Sequence, residues 1–205
     1  MQTESCLSLI MAAGEGTRMN SKRPKVLHAV AGKAMIDRVL DVCPQGPKPV
    51  VIVGHGRQAV EEHVGSRARF VVQEEQKGTG HAVMMAREYL TQHEGLVLVL
   101  AGDMPLLTRE TIDALVQQAQ GKKAALLSSV AADPTGYGRI LRDATGNVCG
   151  IVEHKDATQA QRNIREVNAS VYVFEAKALL ACLDALTCDN AQGEYLSLIH
   201  IWLFP

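Results

Sequence analysis

The sequence contains no Cys-x-x-Cys pair, and its five cysteines, Cys6, Cys43, Cys149, Cys182 and Cys188, are odd in number. That argues against a disulfide framework and leaves the expectation of reduced cytosolic thiols. Net charge is also lacking: 21 basic residues face 22 acidic ones, for a formal charge of -1. No global pull toward nucleic acid or an anionic membrane follows, so any anion must be held locally. No apolar stretch approaches membrane-spanning length. The short apolar run near the start is preceded by Glu4 where a signal peptide would carry a basic region. Neither an internal repeat nor a low-complexity tract is found. The chain of 205 residues is 47% hydrophobic and 21% charged, and one main domain and a cytoplasmic location are expected.

The most informative segment follows Cys6-Leu7-Ser8-Leu9-Ile10, which reads as a buried strand. Met11-Ala12-Ala13-Gly14-Glu15-Gly16-Thr17-Arg18-Met19 comes next, and then Lys22-Arg23-Pro24-Lys25. Glycines where a strand ends let backbone N–H groups approach oxygen anions, and Arg18 and Lys25 add positive charge, so the loop suits a nucleoside triphosphate. Two better-known glycine motifs are excluded. The dinucleotide fingerprint would need glycine where Met19 stands, and no P-loop is found around Gly32-Lys33-Ala34. A solvated glycine turn is the plainer alternative for the glycines alone.

Apolar runs recur at 7–12, 49–53, 69–72, 96–101 and 124–131, and helical spacing occupies 36–40, 60–64, 79–90 and 109–118. Strands alternating with helices predict an α/β fold, a mostly parallel mixed sheet with helices on both faces. After about residue 134 the pattern changes to shorter strands near 136–140, 147–152 and 167–174, a mixed-sheet extension suited to a second substrate.

Asp103 ends the buried run Leu96-Val97-Leu98-Val99-Leu100-Ala101-Gly102. A carboxylate at the carboxyl end of a central strand points into the ligand crevice, where it can hold Mg²⁺ together with substrate phosphates. Read alone, Asp103 equally fits a cap for the helix starting near Thr108 or a Gly-Asp turn. Gln73-Glu74-Glu75-Gln76-Lys77-Gly78-Thr79-Gly80-His81 is a polar strand exit that can read a pyrimidine edge through its glutamine amide, or a plain helix start capped by Thr79. His81 and His55 read as structural. Gly138, Glu153 and Asn168 sit in three strings whose polar groups suit sugar hydroxyls and an acetamido group, each signal being common by itself.

The first loop resembles the signature of the sugar-nucleotide pyrophosphorylases. Taken with E-x-Q-x-G-T-G-H-A, D-P-T-G-Y-G-R-I, G-I-V-E-H-K-D-A and N-A-Q-G-E-Y, the chain closely resembles the bacterial N-acetylglucosamine-1-phosphate uridyltransferases over about residues 7 to 196. Those form the N-terminal half of a bifunctional family whose other half is a left-handed β-helix acetyltransferase. The resemblance implies a Rossmann-like nucleotidyltransferase fold. It also implies formation of UDP-N-acetylglucosamine and pyrophosphate from UTP and N-acetylglucosamine-1-phosphate, precursors for the cell wall, by in-line attack on the α-phosphorus.

By the same resemblance Met11, Ala12, Ala13, Gly14 and Gly16 line the nucleotide site, Arg18 and Lys25 contact phosphates, and Gln73, Gly78 and Thr79 hold the uridine. Asp103 binds Mg²⁺ with Ala101 and Gly102 beside it, and Gly138, Glu153 and Asn168 hold the amino sugar. Ala101 replaces a usual tyrosine, and Ala169-Ser170 replace a usual threonine-glycine. Residues 197–205 are strongly apolar and depart from the family, so the expectation is a truncated domain over 1–196 with a non-family tail. A metal-binding asparagine and the trimer-forming β-helix would then be missing, and a monomer is expected. A nucleotide-sugar-binding module with little catalysis, or a related pyrophosphorylase with another sugar or nucleotide, are the alternatives.

Overall fold

The computed structural model describes residues 5–16 and 19–185. Arg18, the motif at 190–196 and the segment 197–205 lie outside them. In chain order the first half comprises β1 (Cys6–Ala12), a small hairpin of β2 (Ala29–Val30) and β3 (Lys33–Ala34), α1 (Met35–Val42), β4 (Val50–Val53), α2 (Arg57–Val64) and β5 (Arg69–Val72). There follow α3 (Thr79–Met85), α4 (Arg87–Thr91), β6 (Leu96–Ala101), α5 (Arg109–Ala119) and β7 (Ala124–Val130). The remainder is β8 (Arg139–Arg142), β9 (Val148–Val152), α6 (Gln159–Arg162), β10 (Glu166–Glu175) and α7 (Ala176–Ala185).

The runs expected to be buried strands pair in parallel in the order β5-β4-β1-β6. Beyond β6 the sheet turns antiparallel: β10 pairs with β6, β7 with β10, and the β8–β9 pair joins β10 through Val167 and Arg139. The central strands are buried on both faces because successive side chains point opposite ways. Cys6, Ile10, Leu96, Leu98, Leu100, Val171 and Val173 enter one core with Ile36, Val60 and Ile112 of the helices on that side. Leu7, Leu9, Val97, Val99, Tyr172 and Phe174 enter the other with Val83, Leu90 and Leu179. The expected mixed sheet with helices on both faces is therefore observed.

Two local features differ from the sequence reading. The helix expected over 79–90 is broken at Ala86, whose backbone (φ -88°, ψ 10°) ends α3 and opens α4. The Ala86 N–H turns back to the Val83 carbonyl, and Val83, Ala86 and Leu90 are all fully buried, so the break serves packing onto the sheet. The β2–β3 hairpin turns through Ala31 (φ 49°) and Gly32, and its strands are too short to leave an apolar pattern.

None of the four described cysteines forms a disulfide. Burial raises the Cys6 thiol to about 12 and the Cys43 thiol to about 11, so both are neutral thiols at physiological pH. No helix among the described residues is long and apolar enough to cross a membrane.

Helices α1 and α2 are tied by Asp37, which accepts hydrogen bonds from His63 Nε2 at 2.9 Å and Arg67 Nη2 at 2.7 Å. Burial pushes the Asp37 carboxyl up, and the bonds from His63 and Arg67 outweigh it, holding the group below its ordinary value. Because the partners are partly exposed, Asp37→Asn is expected to cost about 1–2 kcal/mol at neutral pH. A folded-state value below the unfolded 3.8 means this contribution is complete above that pH and lost as pH falls through the lower folded value. Urea melts of both proteins between pH 2 and pH 7 check it: the gap closes only on the acid side.

Candidate active site

The glycine loop leaves β1 at the carboxyl end of the parallel strands, where α/β sheets open into a crevice. Met11, Ala12, Gly14, Gly16, Lys25, Val26 and Asp103 line a cavity of about 450 Å³ there. Strand β6 ends beside β1, with Ala101 opposite Met11 and the Gly102 N–H donating to the Met11 carbonyl at 2.9 Å, and this places Asp103 in the cavity wall. Lys25 arrives on a short 3₁₀ turn, Lys25–Leu27, anchored by the buried Val26 and Leu27. Its stem packs so closely on Gly16 (φ 65°) that a β-carbon there would lie 2.8 Å from Lys25 Cβ. The Lys25 ammonium forms an ion pair with the Asp103 carboxylate, both partly exposed. The helix cap considered for Asp103 is supplied instead by Thr108, whose side chain accepts from the Thr111 N–H.

A second cavity of about 930 Å³ adjoins the ends of β4 and β5 and is lined in part by Glu15, Lys22, Gly54, Arg57, Gln73 and Gln76. Gln73 is buried at 4% exposure and donates to the Gly78 carbonyl. Gly78, not Thr79, is the cap position just before α3, with φ 95° and no side-chain hydrogen bond to the helix start. Of the nucleotide residues of the sequence reading, Met11, Ala12, Gly14, Gly16 and Lys25 line the first cavity and Gln73 the second, while Ala13, Gly78 and Thr79 line neither, and a contact the sequence did not reveal bridges the two. Gln76 Nε2 donates to the Ala13 carbonyl at 2.7 Å, fastening the polar strand exit to the glycine loop. Only its position in the E-x-Q string hinted at it.

Gly138, Glu153 and Asn168 come together as a third group. The Asn168 N–H donates to the Gly138 carbonyl at 2.9 Å, and a β-carbon on Gly138 would lie 3.3 Å from Glu153 Oε1. Register places the group at the Asp103 end of the sheet: Tyr172 of β10 lies opposite Val99 of antiparallel β6, so the residues before Tyr172 extend beyond the end of β6. Asn168 is buried, and its amide also holds a bulge, donating to the Tyr172 hydroxyl at 2.6 Å and accepting from the Ser170 N–H at 3.0 Å.

Arg139, missed from sequence, knits this group together. At 1% exposure it donates to the carbonyl oxygens of Tyr137 and Arg162 and to His154 Nδ1, while its Nε has no partner among the described residues. Ser170 adopts φ 57°, the left-handed conformation that favours glycine. Ser170→Gly is expected to raise stability by about 0.5 kcal/mol, the relief of strain less the added freedom of the unfolded chain, as read from urea melts.

Residues 8–194 match the model of the MobA-like NTP transferase domain. The chain belongs to that family. Bifunctional protein GlmU of Heliobacterium modesticaldum is 51% identical over 192 residues, 92% of this chain and 42% of that protein. Bifunctional protein GlmU of Caldanaerobacter subterraneus subsp. tengcongensis is 50% identical over 196 residues, 94% of this chain and 43% of that protein. The chain thus spans less than half the length of these curated relatives. A solved Bacillus anthracis structure, named for glucose-1-phosphate thymidylyltransferase activity and containing sucrose, aligns with a TM-score of 0.76 at 18% identity. It covers 96% of this chain and 81% of its own, and the likeness is one of nucleotidyltransferase fold.

Proposed function

We propose that the chain is a uridyltransferase that joins UTP and N-acetylglucosamine-1-phosphate into UDP-N-acetylglucosamine, releasing pyrophosphate. The observation that carries this reading is the meeting of Lys25 and Asp103 across the glycine loop, with the buried amide of Gln73 on one side and the Gly138, Glu153 and Asn168 group on the other. Identity near one half to two proteins named GlmU supports it.

The sugar phosphate oxygen attacks the α-phosphorus, and no protein nucleophile is needed. Catalysis then rests on positioning and charge. The glycine loop receives the triphosphate through backbone N–H groups, and Lys25 neutralises charge on its oxygens. Gly138, Glu153 and Asn168 orient the amino sugar so that its phosphate faces the loop.

Among the described residues no cluster of three or more His, Cys, Asp or Glu could cage a metal. Asp103 in a cavity built for phosphates nevertheless fits Mg²⁺, which is commonly held by one carboxylate plus substrate oxygens. Bound there, Mg²⁺ would supply neutralisation of the phosphate oxygens, with Asp103 as its protein ligand and Arg18 as a further phosphate contact.

Pyrophosphate release by the purified chain, measured across a panel of nucleoside triphosphates and sugar phosphates with Mg²⁺, tests the proposal. Preference for UTP with N-acetylglucosamine-1-phosphate is expected. Turnover of a different pair would make the chain another pyrophosphorylase. Tight binding of UDP-N-acetylglucosamine without release would make it a binding module, and either result overturns the proposal.

A further inference from the structure

The last row in which β9, β8 and β10 pair is Val152, Arg139 and Val167. Gly138, Glu153 and Asn168 each lie one residue past that row, and of the three only Asn168 is still in a strand. The Gly138 carbonyl is turned toward β10, where it accepts from the Asn168 N–H, and therefore away from β9. No ladder bond sets the distance between Gly138 and Glu153. Arg139 spans the two from the other face of the sheet, since successive strand residues point opposite ways, and there it is 1% exposed. It donates to the carbonyl of Tyr137, the neighbour of Gly138, to Nδ1 of His154, the neighbour of Glu153, at 3.1 Å, and to the Arg162 carbonyl at the end of α6 at 3.3 Å. A guanidinium only donates, so each of these contacts has one sense and His154 Nδ1 is the acceptor.

We infer that Arg139 is a positioning residue for the sugar phosphate, a buried guanidinium that sets the spacing of Gly138 and Glu153 by gripping the residue beside each. It acts through those residues and not on the substrate. Neither Arg139 nor any of its three partners lines the cavity of the glycine loop or the one beside β4 and β5, so the grip bears on the sugar phosphate and leaves UTP alone. This inference deepens the uridyltransferase reading, in which Gly138 and Glu153 orient the amino sugar, and rests on it.

The test compares kcat and KM for both substrates in wild type, Arg139→Met, His154→Leu and His154→Asn. Methionine fills the space of the arginine without a donor. Leucine removes one acceptor from the grip, whereas asparagine returns an acceptor oxygen near the place of Nδ1. KM for N-acetylglucosamine-1-phosphate is expected to rise about tenfold in His154→Leu, the worth of one charge-assisted hydrogen bond, and further in Arg139→Met. KM for UTP should stay at its wild-type value, and His154→Asn should recover most of the loss. Should Arg139→Met not fold, the two His154 variants decide. An unchanged KM for the sugar phosphate in His154→Leu, an equal rise in KM for UTP, or no recovery in His154→Asn overturns the inference and leaves Arg139 a structural tie. If the wild type makes no pyrophosphate from UTP and N-acetylglucosamine-1-phosphate, it is the uridyltransferase reading that fails, and the inference falls with it.

Discussion

Alanine at Lys25 is expected to lower kcat for pyrophosphate release by about 10²–10³-fold, the usual cost of removing one fixed charge or donor from developing oxyanions. The side chain is 41% exposed and its pairing with Asp103 lies at the cavity surface, so stability should change by less than about 1 kcal/mol. Stopped-flow turnover together with a urea melt separates these two readings. A variant that melts like wild type yet turns over slowly places Lys25 in the reaction. One that loses activity only in proportion to its folded fraction would make Lys25 a structural tie. Arginine is a poor substitute, because the stem is wedged against Gly16 and the planar guanidinium needs a different approach.

Removing the carboxylate of Asp103 should cost still more. On the proposed reading Asp103→Ala would take away the protein's hold on Mg²⁺ and leave the Lys25 ammonium without its present partner, so a loss of about 10³-fold or more in kcat is expected. The distinguishing measurement is the dependence of residual activity on Mg²⁺ concentration. A metal-holding role moves the half-saturating Mg²⁺ upward, whereas a role confined to pairing with Lys25 leaves it in place. Thr108 supplies the cap of α5, so α5 has no stake in the substitution, and unfolding is not the expected cause of the loss.

How much of this was legible in the sequence differs by element. The strands β1, β4 and β6 could be read because burial on both faces makes them continuous apolar runs, and Asp103 could be placed because one of those runs ends just before it. The β2–β3 hairpin could not, since two residues per strand carry no periodicity. Nor could the break at Ala86, for alanine is an excellent helix former and the break serves packing beyond the helix itself.

At the candidate site, Gln73, Gly78, Gly138 and Glu153 could be singled out through their wording in motifs. The spatial grouping of Gly138 with Asn168 depends on a bulge and an antiparallel register that no local pattern announces. Gln76 escaped because its partner, the Ala13 carbonyl, lies far along the chain, as does the Arg162 carbonyl that Arg139 reaches, and any residue type offers a carbonyl. The resemblance anticipated glycine where Ser170 stands, and the left-handed backbone at that position gives a physical reason for the usual choice.

The alternation of β1, β6 and β10 between two cores has a consequence for how such a protein can diverge. Most residues that hold the sheet together face helices, while the candidate site residues gather at one end of the sheet, in strand ends and the loops beyond them, with Ala12 and Val26 serving both. Stability and specificity are thus written in nearly separate sets of positions. On the proposed reading, exchanging the exposed strand exit at 74–77 or the turns around 138 and 153 is expected to alter nucleotide or sugar choice while leaving most of the scaffold's packing intact.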